Sequence, residues 1–205
     1  MEQRRFNDRF GGDNLPHLLD KALENEKRKS KEAKVEAETD SLTGLPNRRA
    51  LDNELSKMLT SLEVGRRGSD PDYILYFVID LNRFKFLNDT HGHAKGDEAL
   101  QIVAKHLAQE ALERDGKAFR SGGDEFVLVL HSKGTLKDSI DQISHRIQSK
   151  MSFNIPTKGG TFNITVSVGG AMSTRDQFKN QNNLHIEADE KMYANKSANG
   201  VERGK

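Results

Sequence analysis

Two glycines followed by two acids, Gly122-Gly123-Asp124-Glu125, stand between a short apolar run ending at Phe119 and the longer run from Phe126 to Leu130. Paired glycines between β-prone runs supply positive φ without steric cost, and they predict a hairpin. Its tip would carry two carboxylates beside a backbone bare of side chains, open to a bulky, highly charged ligand. That combination suits a metal bound to phosphates. A further acid, Asp80, closes the continuous apolar run Tyr73-Ile74-Leu75-Tyr76-Phe77-Val78-Ile79, the pattern of a strand covered on both faces. If that strand lies beside the hairpin, Asp80 and Asp124 meet at one sheet edge and form a divalent-metal site. Mg²⁺ takes a few carboxylate oxygens and completes its shell with waters and substrate phosphates. With no Walker loop in the chain, the implied chemistry is two-metal phosphoryl or nucleotidyl transfer of another type.

Taken alone, the same four letters describe a solvated turn. Phe10-Gly11-Gly12-Asp13 makes the point, because Asn14-Leu15-Pro16 follows where a strand should be, and this copy reads as a loop. The acids need a scaffold to bring them together. At 205 residues, 34% hydrophobic and 31% charged, the chain holds one ordinary core plus a polar extension. A net charge of +1 gives no basic face for nucleic acid. The absence of Cys excludes disulfides and thiolate metal sites, and no run reaches the length of a membrane span, so the expectation is a soluble, cytoplasmic protein.

Residues 1–39 read as a polar arm followed by a charged helical stalk. Leu15, Leu18, Leu19, Ala22 and Leu23 start the helix, but Glu, Lys and Arg interleave from Glu24 to Glu38 without apolar heptads. A solvated helix fits this better than a long coiled coil, and a short dimer-forming stalk is the alternative. The globular part spans 40–200, with 201–205 as a tail. Asn47 caps a helix striped by Leu51, Leu55, Leu59 and Leu62, and residues 65–72 form a loop. After Asp80 the spacing predicts a short helix over 82–89, a helix starting at Gly96-Asp97-Glu98, the hairpin, a helix over 135–151, one long strand over 161–171 and a final helix striped by Leu184, Ala188 and Met192. The order βααββαβα implies an α/β (α+β) sandwich whose mainly antiparallel central sheet is flanked by helices.

Six stretches then fall together: Asp-Ser-Leu-Thr-Gly-Leu-Pro-Asn-Arg-Arg (40–49), Asp-Leu-Asn-Arg-Phe-Lys-Phe-Leu-Asn-Asp (80–89), Gly-His-Ala-Lys-Gly-Asp (92–97), Arg-Ser-Gly-Gly-Asp-Glu-Phe (120–126), Ser-Val-Gly-Gly-Ala (167–171) and Ala-Asp-Glu-Lys-Met-Tyr (188–193). In this order they strongly resemble the GGDEF family of diguanylate cyclases, with its nucleotide-cyclase, polymerase-palm-like fold. The resemblance implies that Asp80, Asp124 and the Leu81 carbonyl bind Mg²⁺, two ions per half-site with Mn²⁺ as a substitute. It implies that Asn88 and Asp97 read the guanine edge of GTP, and that Lys85 and Lys196 contact phosphates. Phe84, Gly122 and Gly123 would line the nucleotide, and Asp124 or Glu125 would help deprotonate the attacking 3′-hydroxyl. A carboxylate at Asp97 accepts from guanine N1–H and the amino group, a donor pair adenine lacks. The resemblance further implies that two such domains, each holding one GTP, would face each other and release cyclic di-GMP and two pyrophosphates. The partners implied are therefore GTP, a second copy of the chain and an upstream sensor or activator.

Bland readings stand beside these roles: Asn88 as a solvated helix residue, Asp97 as a helix N-cap, and Lys85 as an ion-pair partner of Asp89. Three positions depart from the family pattern. The product-inhibition motif Arg-x-x-Asp would fall on Glu113 and Gly116, which do not match it. An expected Arg near position 200 is replaced by Asn199-Gly200-Val201, with Arg203 the nearest substitute, and Asn82 stands where a second Asp is common. His91 and His93 have metal-like spacing but no third ligand nearby, and the glycosylation acceptors at Asn88 and Asn163 would be inert in a cytoplasmic chain. The rival functions are a catalytically silent GGDEF module that binds nucleotide or protein, a cyclase making an adenine-containing dinucleotide, and a stalk protein. The retained Asp80, Lys85, Asp124 and Glu125 speak against the first, and Asp97 against the second.

Overall fold

The computed structural model describes residues 15–65, 71–132, 134, 136 and 138–198. The polar arm over 1–14, the Phe10-Gly11-Gly12-Asp13 loop and the tail from 199 onward lie outside them. The chain divides into two compact units, residues 1–38 and 39–205. The first is helix α1 (Leu15–Glu38), which exposes Leu18, Leu19, Leu23 and Val35. Its interleaved charges form an i,i+4 pair between Arg28 and Glu32.

The second unit begins with α2 (Arg48–Val64), where Asn47 Oδ1 accepts from the Ala50 N–H and satisfies one of the free donors of the first turn. Then come β1 (Tyr73–Leu81), α3 (Phe84–His91), α4 (His93–Glu113), β2 (Gly116–Gly122), β3 (Glu125–Ser132), α5 (Ile140–Lys150), β4 (Phe153–Thr157), β5 (Gly160–Ile164), β6 (Val166–Thr174) and α6 (Gln181–Ala198). Four strands form one sheet in the order β2-β3-β1-β6, and every neighbouring pair is antiparallel. The expected antiparallel sheet flanked by helices is what the chain forms.

Alternation along β1 assigns the two faces. Leu75, Phe77, Ile79 and Leu81 pack with Leu87 of α3, with Leu100, Val103 and Leu107 of α4 and with Ile143 and Ile147 of α5. Ile74, Tyr76 and Val78 point the other way, onto Leu51, Leu55 and Leu62 of α2 and Leu184, Ala188 and Met192 of α6. Because both faces are covered, β1 has no charged side chain until Asp80, and the buried Tyr76 hydroxyl is met by His185. That explains the unbroken apolar run in the sequence.

Three boundaries differ from the sequence reading. The single strand expected over 161–171 is two, split at Thr165. The Asn82 N–H donates to the Thr165 carbonyl and the Asn82 side chain to its hydroxyl, so the chain upstream leaves the main sheet and pairs with β4 as a separate hairpin. The helix expected from 135 starts at Ile140, where Ser139 and Gln142 form a capping box. Finally, α4 starts at His93 rather than at Gly96, because Gly92 at φ 85 turns the chain and its carbonyl already accepts from Lys95. Gly96 therefore lies inside the helix, and Asp97 is not an N-cap.

Candidate active site

The site starts from register. In β1, Asp80 stands opposite Glu125 of β3 on one side and Ser167 of β6 on the other. It belongs to the face that carries Ile74, Tyr76 and Val78, so its side chain points to the α2 and α6 side. The hairpin follows the same register. The Leu81 N–H donates to the Asp124 carbonyl at 3.3 Å, which ties the Gly-Gly turn to the end of β1. The two acids expected at one sheet edge are thereby brought to it by adjacent strands.

The turn is held from the other side by Arg120. Its guanidinium donates twice to the Gly123 carbonyl, at 2.7 and 3.1 Å, and twice to Asp40, at 3.0 and 3.2 Å. Gly123 has φ +47, a conformation that favours glycine, and a bulge falls between Arg120 and Gly122. Burial pushes the Asp40 carboxyl up, but hydrogen bonds from Thr43 and Arg120 outweigh it and leave Asp40 below its ordinary value. Local spacing does not announce this clamp, because Asp40 and Arg120 lie 80 residues apart in the chain. Gly122 and Gly123 are exposed, and their outer side opens on a shallow basic cup of about 430 Å³ lined by Asp40, Arg48, Arg49 and Arg120.

Asp80 is 6% exposed. Its Oδ1 lies 2.6 Å from Nζ of Lys196, in the last turn of α6, and has no other partner among the described residues. Burial raises the Asp80 carboxyl, Lys196 lowers it and the charge of Asp124 raises it again, leaving it pushed up to about 6. No group of three or more acidic or His side chains converges among the described residues. A cation here would rely on Asp80, Asp124, a backbone carbonyl such as that of Leu81, and non-protein oxygens. That donor set fits Mg²⁺, which keeps waters and binds substrate phosphates. His91 instead meets the Phe162 ring edge-on.

Asn82, in the place of a second acid, is buried and fully engaged. Its Nδ2 donates to Thr165 and its Oδ1 accepts from Ser167. These bonds tie the end of β1 to the start of β6. Directly after it, Arg83 adopts φ 60 and lies over the ring of Phe86, 4.7 Å from its centroid, while Phe86 stacks on Phe162 of β5.

The second group of expected residues gathers where α3 turns into α4. Phe84 packs against the core, Lys85 is exposed, and Asn88 is half-buried with its Oδ1 fully enclosed and without a hydrogen-bond partner. Asn88 is thus not a solvated helix residue. Gly96 packs directly on it, and Asp97, the next residue, is exposed at the same corner. Glu113 is engaged by Lys150 and Gln109, and the neighbouring buried Glu110 is paired with Arg114 and Lys150. No Arg-x-x-Asp arrangement exists there. The region expected to supply a terminal Arg lies outside the described residues.

Comparison with known proteins gives this arrangement a family. Residues 37–201 match the model of the diguanylate cyclase GGDEF domain. The chain is 34% identical over 183 residues to the signaling protein YkoW of Bacillus subtilis, covering 89% of this chain and 22% of that protein. It is 38% identical over 134 residues to the diguanylate cyclase DgcP of Pseudomonas aeruginosa, covering 64% of this chain and 18% of that protein. The chain therefore spans less than a quarter of the length of either relative. Among solved structures, the coiled coil and GGDEF domain of DgcB from Caulobacter crescentus, in complex with c-di-GMP, superposes with a TM-score of 0.70 at 25% identity, covering 89% of this chain and 94% of that one. A sensory box/GGDEF family protein from the same organism gives 0.67 at 29% identity, covering 78% and 99%. No helix among the described residues is long and apolar enough to cross a membrane. With the matched residues running through both halves of the site, the chain belongs to the diguanylate cyclase GGDEF domain family.

Proposed function

We propose that the domain is an active diguanylate cyclase that joins two GTP molecules into cyclic di-GMP with release of two pyrophosphates. The observation that carries this reading is a pair of enclosed acceptors, one at the end of β1 and one in α3. Asp80 Oδ1 is buried with Lys196 as its one charge partner and the like charge of Asp124 nearby, and Asn88 Oδ1 is enclosed without a hydrogen-bond partner among the described residues. An acid pair short of cationic charge and a buried acceptor left unpaired are both costly, so each calls for a ligand group. The first, an acid beside Asp124, suits a divalent cation. The second suits an N–H donor such as a guanine edge.

In this reading Asp80, Asp124 and the Leu81 carbonyl hold Mg²⁺. Once bound, the metal neutralises the triphosphate and polarises the α-phosphorus. Asn88 and Asp97 orient the base, and Lys85 and Lys196 offset phosphate charge. Phe84 and the bare Gly122-Gly123 backbone line the nucleotide. Glu125, paired across the sheet with Asp80, or Asp124 takes the proton of the 3′-hydroxyl. The new P–O bond forms to the α-phosphate of the other GTP as its bond to the β-phosphate breaks and pyrophosphate leaves. Since each copy holds one GTP, catalysis needs two copies in line, and α1 is the element suited to set their approach. The chain works in the cytoplasm, under an upstream sensor or activator.

The test is incubation with GTP and Mg²⁺ at concentrations that favour dimers, beside Asp124→Ala, with products identified by mass. Cyclic di-GMP from the parent alone supports the reading. No product from either leaves a nucleotide- or protein-binding module.

A further inference from the structure

We propose that Gly96, through its lack of a side chain, sets the position of the Asn88 amide and so fixes the preference for guanine. The proposal rests on the reading of Asn88 as a base contact. A Cβ added at Gly96 would lie 2.0 Å from Asn88 Oδ1, 3.0 Å from its Cγ and 3.1 Å from Cε2 of Phe84. The first distance is far inside van der Waals contact. Gly96 is buried within α4, where alanine would otherwise be the better helix former. Helix propensity and fit are therefore opposed at this position, and fit is what glycine serves.

Neither helix can retreat to make room. Leu87 fixes α3 in the core, and Ala99, Leu100 and Val103 fix α4 within the next turns. The corner between them is tied by the Gly92 N–H to the Asn88 carbonyl at 2.8 Å and by the Lys95 N–H to the Gly92 carbonyl at 3.0 Å. The yielding part is the Asn88 side chain, whose Oδ1 has no hydrogen bond to hold it. A methyl at position 96 rotates this amide off its line. Its acceptor then no longer meets the 2-amino group, the donor that guanine has and hypoxanthine lacks. Asp97, which follows on the same turn, keeps its own place, so the loss falls on one contact and not on the whole base.

The experiment is equilibrium binding of GDP and IDP with Mg²⁺ to the full chain. These diphosphates lack the pyrophosphate leaving group, and binding is read without turnover. The wild-type protein is expected to favour GDP by more than about tenfold, because Asn88 and Asp97 both accept from the 2-amino group and one well-placed hydrogen bond gives about tenfold. Gly96→Ala should cut this ratio about tenfold by weakening GDP while leaving IDP nearly unchanged. In an Asn88→Ala background, where the Asn88 share of the ratio is already lost, Gly96→Ala should change nothing further. A Gly96→Ala protein that keeps the wild-type ratio, or loses both ligands alike, overturns the proposal. A wild-type protein that binds both equally removes the guanine reading of Asn88, and this proposal with it. Thermal unfolding gives an independent arm. Gly96→Ala alone should lower the midpoint, and the same change should be neutral or stabilising once Asn88 is Ala. If it is equally destabilising in both backgrounds, Asn88 is not what the methyl meets.

Discussion

Lys196 Nζ and Asp80 Oδ1 lie 2.6 Å apart, joining the last turn of the last helix to the end of the central strand. The carboxylate is buried and the ammonium mostly so, which makes the pair a fixed charge contact between an expected phosphate ligand and an expected metal ligand. Replacing Lys196 by Met leaves Asp80 enclosed beside Asp124 without its cation. Removing one partner of such a pair costs about 1–3 kcal/mol. The unfolding midpoint of Lys196→Met should fall accordingly in the absence of divalent ions, and millimolar Mg²⁺ should restore part of it. A midpoint equal to wild type would mean the pair contributes nothing.

Gly169 controls whether that lysine arrives. A Cβ there would sit 2.1 Å from both the Ala188 carbonyl oxygen and the Met192 amide nitrogen, which are backbone atoms of α6 and cannot swing aside. Gly169→Ala must push α6 off β6, opening the layer around Leu184, Ala188 and Met192. A loss of about 2–4 kcal/mol is expected, in the range of other core overpacking and cavity changes. Denaturant titration measures it. Activity should fall with it even where the fold survives, because Lys196 rides on the displaced helix.

The Asp40–Arg120 clamp gives a pH dependence. Asp40 is held below its ordinary carboxylate value of 3.8 in the folded chain. Its contribution is therefore present above that value and lost as pH falls through the lowered one. Asp40→Asn should destabilise the protein by about 1–2 kcal/mol at neutral pH, and the gap to wild type should shrink as pH falls below the ordinary value of 3.8 and the wild-type carboxylate is protonated to match the uncharged variant. Unfolding curves from pH 7 to pH 3 check this. A gap that stays constant in acid would assign the loss to packing.

The surface around Glu113 predicts weak feedback. Glu113 and Glu110 are engaged by Lys150, and residues 113–116, where an Arg-x-x-Asp pattern would fall, read Glu-Arg-Asp-Gly. Initial rates measured with cyclic di-GMP added in large excess over enzyme should match rates without it. Inhibition that is non-competitive with GTP would reveal a product site elsewhere.

Much of this domain was legible before folding because its signals are local. The apolar run to Asp80 marked a strand buried on both faces, since only a covered strand tolerates such a run. Gly122-Gly123 marked the hairpin through the φ values it permits. Leucines at helical spacing marked α2, and the six spaced stretches marked the family. What the tertiary structure decided was everything set by register and helix contact. Asp80 faces α6, and so meets Lys196, because the alternation along β1 places it with Tyr76 and Val78 rather than with Phe77 and Ile79. The start of α4 at His93, set by a backbone turn at Gly92, moved Asp97 out of the cap and put Gly96 against Asn88. The split at Thr165 came from hydrogen bonds to Asn82, far away in the chain. Spacing along a chain fixes which side chains share a face, whereas the distance between two faces is fixed only when the layers pack.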